Sequence, residues 1–251
     1  MKPKVVAHRG SSALHADNSW AAFEAAAAEG ADAIECDVQR TSDGVLVIRH
    51  DLFISDRLVA ECSASQIDAL EPGLVRLDDL FGWAQRTNID LLLEIKDPHI
   101  TSLVAAMVAA SPWRKHIVIG SFHGPELAAA KANAPGIMTS LMMGSVIATG
   151  DLIRLAASYR ANGVHPCWEH RSPYPHRLLD AAAIARLHEA GLAVTLWHEE
   201  RESELQALVA LGPDAICTNL PALLRRIVDS ANGAGLLSNA AMDRAKQEAS
   251  W

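Results

Sequence analysis

The sequence predicts an α/β fold, a (β/α)8 TIM barrel with a short insertion after the second strand unit. Two observations carry this expectation. Short β-branched runs alternate with Ala/Leu-rich segments at helical spacing, the pattern of parallel strands joined by crossover helices. Eight such strand-then-helix units fit into 251 residues, a length that α/β barrels fill as one domain. A six-stranded doubly wound sheet leaves units unused.

The first unit pairs a strand at 4–8 with a helix at 19–29, opened by the capping pair Asn18-Ser19 and closed by Gly30. The second holds a strand at 33–38, an extra strand at 45–50 and a helix at 77–85. Residues 51–76 between them lack a strong period and contain Pro72-Gly73, which marks a small insertion at the barrel mouth. Strands at 90–96, 117–121, 136–141, 163–166, 193–197 and 214–218 then alternate with helices at 100–110, 125–134, 151–161, 180–190, 202–211 and 221–229. Residues 1–229 therefore read as a single barrel domain. Residues 230–251, with Asn232-Gly233-Ala234-Gly235 and a polar run, read as a C-terminal tail.

Composition narrows the class of partner. Lys and Arg total 22 against 30 Asp and Glu, a net charge of −8, so the chain lacks the basic excess of a nucleic-acid scaffold. No apolar run approaches the ~18 residues of a membrane span, so no stable membrane insertion is expected. The N-terminus passes into His8-Arg9-Gly10 too soon for a signal-peptide apolar region, and Cys36, Cys62, Cys167 and Cys217 show no close spacing. A soluble, cytoplasmic protein with reduced thiols and a small-molecule partner is expected.

Ionisable residues inside strands are the strongest chemical signal. In Ile34-Glu35-Cys36-Asp37-Val38 the acids stand at i and i+2, so strand alternation sends both carboxylates to one face and Cys36 to the other. Glu94 and Lys96 have the same spacing at the end of Leu91-Leu92-Leu93. Uncompensated carboxylates in such a setting cost several kcal/mol and call for a cation or dense hydrogen bonding. Three hard oxygen donors without a Cys or His cluster suit Mg²⁺ or Ca²⁺ better than Zn²⁺. His8 and His50 close strands that should end at the same mouth, where barrel enzymes place their chemistry. Arg9 offers a fork suited to phosphate and Lys96 a point charge. Together they describe a metal-dependent phosphoester site.

These residues resemble the glycerophosphodiester phosphodiesterase family. That pattern is similar to His8-Arg9-Gly10, Asp17-Asn18-Ser19, Glu35-Cys36-Asp37, Asp43-Gly44 followed by His50-Asp51, and Glu94-Ile95-Lys96, with later echoes at Ser121-Phe122, Trp197 and Thr218-Asn219-Leu220-Pro221. The resemblance implies the same barrel and hydrolysis of glycerophosphodiesters to glycerol 3-phosphate and an alcohol, within lipid and glycerol metabolism. It implies Glu35, Asp37 and Glu94 as ligands of Mg²⁺ or Ca²⁺, His8 and His50 as the acid/base pair, and Arg9 and Lys96 on phosphate oxygens. Ser121 and Trp197 would belong to the substrate pocket. Three departures bear on the substrate. Asp17 replaces the usual Glu, His198 and Glu200 stand in the usual Trp-Thr-x-Asn, and Asn219 replaces the usual Asp.

Two competing expectations remain at this stage. A lysophospholipase D or sphingomyelinase D-like enzyme on the same barrel needs an apolar surface for lipid, for which Leu52, Phe53, Ile54 and Leu58 are the candidates. A noncatalytic phospho-ligand module has no use for both His8 and His50. No G-x-S-x-G elbow supports a serine hydrolase.

Overall fold

The computed structural model describes residues 2–167 and 171–231. Its strands are β1 (Lys4–His8), β2 (Ala33–Arg40), β3 (Leu46–Ile48), β4 (Phe53–Ile54), β5 (Arg57–Leu58), β6 (Asp90–Ile95), β7 (Ile117–Ser121), β8 (Met138–Met143), β9 (Gly163–Pro166), β10 (Ala193–Leu196) and β11 (Ala215–Thr218). The order β1-β11-β10-β9-β8-β7-β6-β2 is parallel throughout and closes through β1 and β2, giving the expected eight-stranded barrel. Helices α1 (Trp20–Ala28), α2 (Ala64–Leu70), α3 (Leu77–Thr87), α4 (Thr101–Ala110), α5 (Gly124–Asn133), α6 (Thr149–Ser158), α7 (Ala181–Glu189) and α8 (Glu202–Leu211) follow in order, and residues 221–231 form α9. All but α2 are crossover helices or, for α9, follow the last strand.

Alternation along the strands makes two cores. Outward-facing Val5, Ile34, Cys36, Leu91, Leu93, Ile117 and Ile119 pack under the helices with Phe23, Leu80 and Val104. Inward-facing Val6, Ala33, Leu92, Met142, Trp197 and Cys217 fill the barrel. Local punctuation matches the sequence: Ser19 Oγ accepts from Ala22 N to cap α1, while Asn88 and Gly212 end α3 and α8 in the left-handed region. The four cysteines are buried and none is in a disulfide.

Several boundaries differ from expectation by one to three residues, β2 running on to Arg40 and β3 ending at Ile48, two residues before His50. Strand β8 lies two residues later than 136–141, because Met142 and Met143 continue the pairing with His165 and Pro166. Residues 230 and 231 belong to α9, and the rest of the expected tail, 232–251, lies outside the described residues. Residues 51–76 are more ordered than their weak period suggested: the β4–β5 hairpin and α2 close on Val47, Ile54, Val59, Cys62 and Ile67, a small core of their own.

Candidate active site

Strand register assembles the site. His8 is opposite Glu35 in the β1–β2 pairing, and Asp37 is opposite Glu94 in the β2–β6 pairing. One carboxylate oxygen from each of Glu35, Asp37 and Glu94 lies within 4.8 Å of the other two, and all three residues are buried. Next to Glu94, on β7, stands Gly120, where an added Cβ would sit 3.1 Å from Met142.

Two cations close over the cluster. Lys96 Nζ lies 2.7 Å from Glu94 Oε1 and 3.1 Å from Asp37 Oδ1, and Arg9 Nε lies 3.2 Å from Asp37 Oδ2. Arg9 also reaches Asp17 at 3.1 Å, and its backbone N–H donates to Glu35 Oε2 at 3.2 Å. That backbone is bent: Arg9 has φ +58° and Gly10 φ +85°, and a Cβ on Gly10 would meet the Ala22 backbone at 2.7 Å. Glycine is thus required at the third position of His8-Arg9-Gly10.

The carboxylates are short of positive charge. Burial, followed by Asp37 and Glu94, holds the Glu35 carboxyl well above its usual range. Burial and then Asp37 raise Glu94, with Lys96 opposing. For Lys96, burial pulls the ammonium down, but Asp37 and Glu94 more than offset it and the net shift is upward. Glu35 Oε1 and Glu94 Oε2 are buried without a hydrogen-bond partner among the described residues. Orphaned hard oxygens facing one another are what a bound divalent cation would satisfy, so this donor set fits Mg²⁺ or Ca²⁺.

His8 is held on three sides. Its Nδ1 is 2.7 Å from Asn219 Oδ1, its ring stacks on His198 at 4.5 Å, and its edge meets Trp197 at 5.1 Å. Its Nε2 has no hydrogen-bond partner among the described residues and faces Glu35 Oε2 at 3.9 Å. Burial pushes the imidazole well below its ordinary value, His198 and Arg9 push the same way, and the Asn219 contact opposes them. Two of the three departures from the family pattern meet here: Glu200 Oε1 accepts from His198 Nδ1 at 2.8 Å and from Asn219 N at 3.2 Å.

His50 reaches the same mouth by a different route. Strand β2 overshoots the barrel rim to Arg40, and β3 returns antiparallel to it, so Arg49 N donates to Asp37 O at 2.8 Å. Buried Gln39 then anchors the turn, its Nε2 donating to the carbonyls of Arg49 and Asp51 at 2.8 Å each. His50 is half-buried, with Nδ1 2.9 Å from Asp51 Oδ1.

Of the two expected pocket residues, Trp197 packs against His8, His165 and, at 5.8 Å, Phe122. Ser121 is fully buried, and its Oγ accepts from His123 N at 3.0 Å, which shapes the loop after β7 and leaves Phe122 as the exposed neighbour. Gln39 and Ser12 are not among the sequence candidates, and Asn18 reads there only as a helix cap and as part of Asp17-Asn18-Ser19. Asn18 Nδ2 donates to Asp37 Oδ2 at 2.8 Å, a role placed in the loop before α1 by its left-handed φ of +53°. Ser12 Oγ lies 2.7 Å from Asn219 Oδ1. Residues 168–170, in the loop after β9, lie outside the described residues.

A family model for the glycerophosphoryl diester phosphodiesterase family matches residues 8–223. A glycerophosphodiester phosphodiesterase of Caldanaerobacter subterraneus is 25% identical over 249 residues, covering 91% of this chain and 98% of its own. Among solved structures, one described as a putative glycerophosphoryl diester phosphodiesterase of Silicibacter pomeroyi aligns with TM-score 0.78 at 22% identity, over 92% of this chain and 94% of that one. A phosphodiesterase of Oleispira antarctica, solved in complex with the product sn-glycerol-3-phosphate, aligns with TM-score 0.76 at 21% identity, over 90% and 97%. No helix among the described residues is long and apolar enough to cross a membrane.

Proposed function

Because the chain belongs to the glycerophosphoryl diester phosphodiesterase family, we propose that it hydrolyses glycerophosphodiesters to glycerol 3-phosphate and an alcohol, with His8 and His50 moving the protons. The observation that carries this reading is the meeting of Glu35, Asp37 and Glu94 within 4.8 Å, flanked by Arg9, Lys96 and an unpartnered His8 Nε2.

Glu35, Asp37 and Glu94 would hold a divalent cation, which when bound neutralises the carboxylates and polarises a phosphoryl oxygen. Arg9 and Lys96 supply donors for the remaining anionic oxygens, so charge that grows on the phosphoryl group in the transition state meets fixed positive groups. Asn219 Oδ1 accepts a hydrogen bond from His8 Nδ1–H, leaving Nε2 with its lone pair towards the site. Burial favours the neutral imidazole, whose Nε2 takes a proton from the attacking hydroxyl, either of water or of the substrate's glycerol, the latter route giving a cyclic phosphate that water then opens. His50, oriented by Asp51 and by Gln39 behind it, protonates the departing alkoxide. A purely ligand-binding role leaves the unpartnered Nε2 of His8 without a task.

Release of glycerol 3-phosphate from a soluble glycerophosphodiester tests the roles. His8→Ala and His50→Ala should each lower kcat by about 10²–10⁴-fold with the fold intact. Full activity in either variant removes that residue from the mechanism.

A further inference from the structure

A cavity of about 670 Å³ opens beside the carboxylate cluster, walled by Arg49, His50, Asp51, Leu52, Phe53 and Lys96. Lys96 also contacts Asp37 and Glu94, so the cavity is continuous with the proposed phosphoryl position. Its outer wall is the β4–β5 hairpin, which is firmly held. Arg49 Nε and Nη2 donate to Phe53 O at 3.2 and 3.0 Å, Arg49 Nη1 pairs with Glu71, and Val59 N donates to Leu52 O at 2.9 Å. Ile54 is buried in the insertion's own core, so strand alternation turns Phe53 outward, where it is 54% exposed.

A fixed strand therefore places a half-exposed aromatic side chain at a cavity that also carries the exposed carboxylate of Asp51. Arg49, the cation of that wall, is already satisfied by Glu71 and the Phe53 carbonyl. An aromatic face beside a carboxylate is the chemistry that recognises a quaternary ammonium. Positive Arg9 and Lys96 inside, with Phe53 and Asp51 outside, complement the two poles of a zwitterionic diester: an anionic phosphoryl group and a cationic alcohol on a short linker. We propose that this cavity is the alcohol subsite and that Phe53 and Asp51 select a quaternary-ammonium alcohol. The proposal rests on the phosphodiesterase reading above.

Phe53 tests it, since its side chain lies outside the proton-transfer and carboxylate groups. The readout is the ratio of kcat/KM for glycerophosphocholine to kcat/KM for uncharged-alcohol glycerophosphoglycerol. Phe53→Ala should lower that ratio about two- to five-fold, as expected for a partly exposed cation–π contact, and Phe53→Trp should restore it. An unchanged ratio in Phe53→Ala, with the wild type active on both diesters, overturns the subsite and leaves the phosphodiesterase reading standing. A loss confined to lysophosphatidylcholine micelles also overturns it, making the hairpin a lipid-facing surface. A wild type inert on both diesters overturns the underlying reading and the subsite with it.

Discussion

His8 Nδ1 lies 2.7 Å from Asn219 Oδ1, so an imidazole at the end of the first barrel strand is oriented by a residue following the last one. Asn219 is itself fixed from the other side by Glu200, which also holds the His198 ring stacked on His8. Asn219→Ala should therefore lower kcat by up to about 10²-fold, the cost of a misplaced catalytic group, while leaving KM within about two-fold. Steady-state kinetics on a soluble diester check this. A variant that raises KM and spares kcat would move Asn219 to substrate binding.

Gly10 sits at φ +85° with no room for a Cβ against Ala22. Gly10→Ala should destabilise the protein by about 2 kcal/mol or more and displace both His8 and Arg9. Urea denaturation reads the first effect and diester turnover the second.

Glu35 has its folded carboxyl raised by burial, Asp37 and Glu94. The folded protein thus holds this proton to higher pH than the unfolded chain, and the stability so gained is lost as pH rises through the raised folded value. In the metal-free protein, Glu35→Gln should flatten that loss and raise Tm near neutral pH. The same variant should respond weakly to Mg²⁺ or Ca²⁺, whereas the wild type gains about 2.7 kcal/mol at roughly a hundred times Kd. Thermal melts with and without cation distinguish the two outcomes.

His165 is fully buried against Trp197, with neither ring nitrogen hydrogen-bonded among the described residues, and burial pulls its pKa down to about 3. Below its ordinary value of ~6.5 the unfolded chain takes up a proton that the folded barrel refuses, so stability falls as pH drops from there towards 3. Between pH 7 and pH 5 this amounts to about 2 kcal/mol, at about 1.4 kcal/mol per pH unit. His165→Leu should lose less stability than the wild type by that amount over the interval, measured by chemical denaturation at both pH values.

Much of this site was legible because strand alternation is a local rule. Glu35 and Asp37 at i and i+2 had to share a face, and Glu94 with Lys96 likewise. The barrel was legible from the repeated strand-then-helix rhythm. Register between strands is not local, so the pairing of His8 with Glu35 and of Asp37 with Glu94 emerged only when the barrel closed. The departures at His198 and Asn219 were visible as residues, but their union through Glu200 depends on loops from two strands meeting. Strand β8 runs past its expected end because Met142 and Met143, which lack β-branching, are held in the strand by pairing with His165 and Pro166 of β9. Gln39 gave no signal, since a buried amide serving three backbone carbonyls looks in sequence like any polar strand end.

The central claim is that three buried carboxylates recruit a divalent cation to a site where His8 and His50 cleave a glycerophosphodiester. The direct measurement is glycerol 3-phosphate release from glycerophosphocholine and glycerophosphoglycerol by purified protein as prepared, after EDTA, and after re-addition of Mg²⁺ or Ca²⁺. Activity on at least one diester that is abolished by EDTA and returned by one of the two cations is the predicted result. Undiminished release in EDTA, or none from either diester in the presence of both cations, would contradict it.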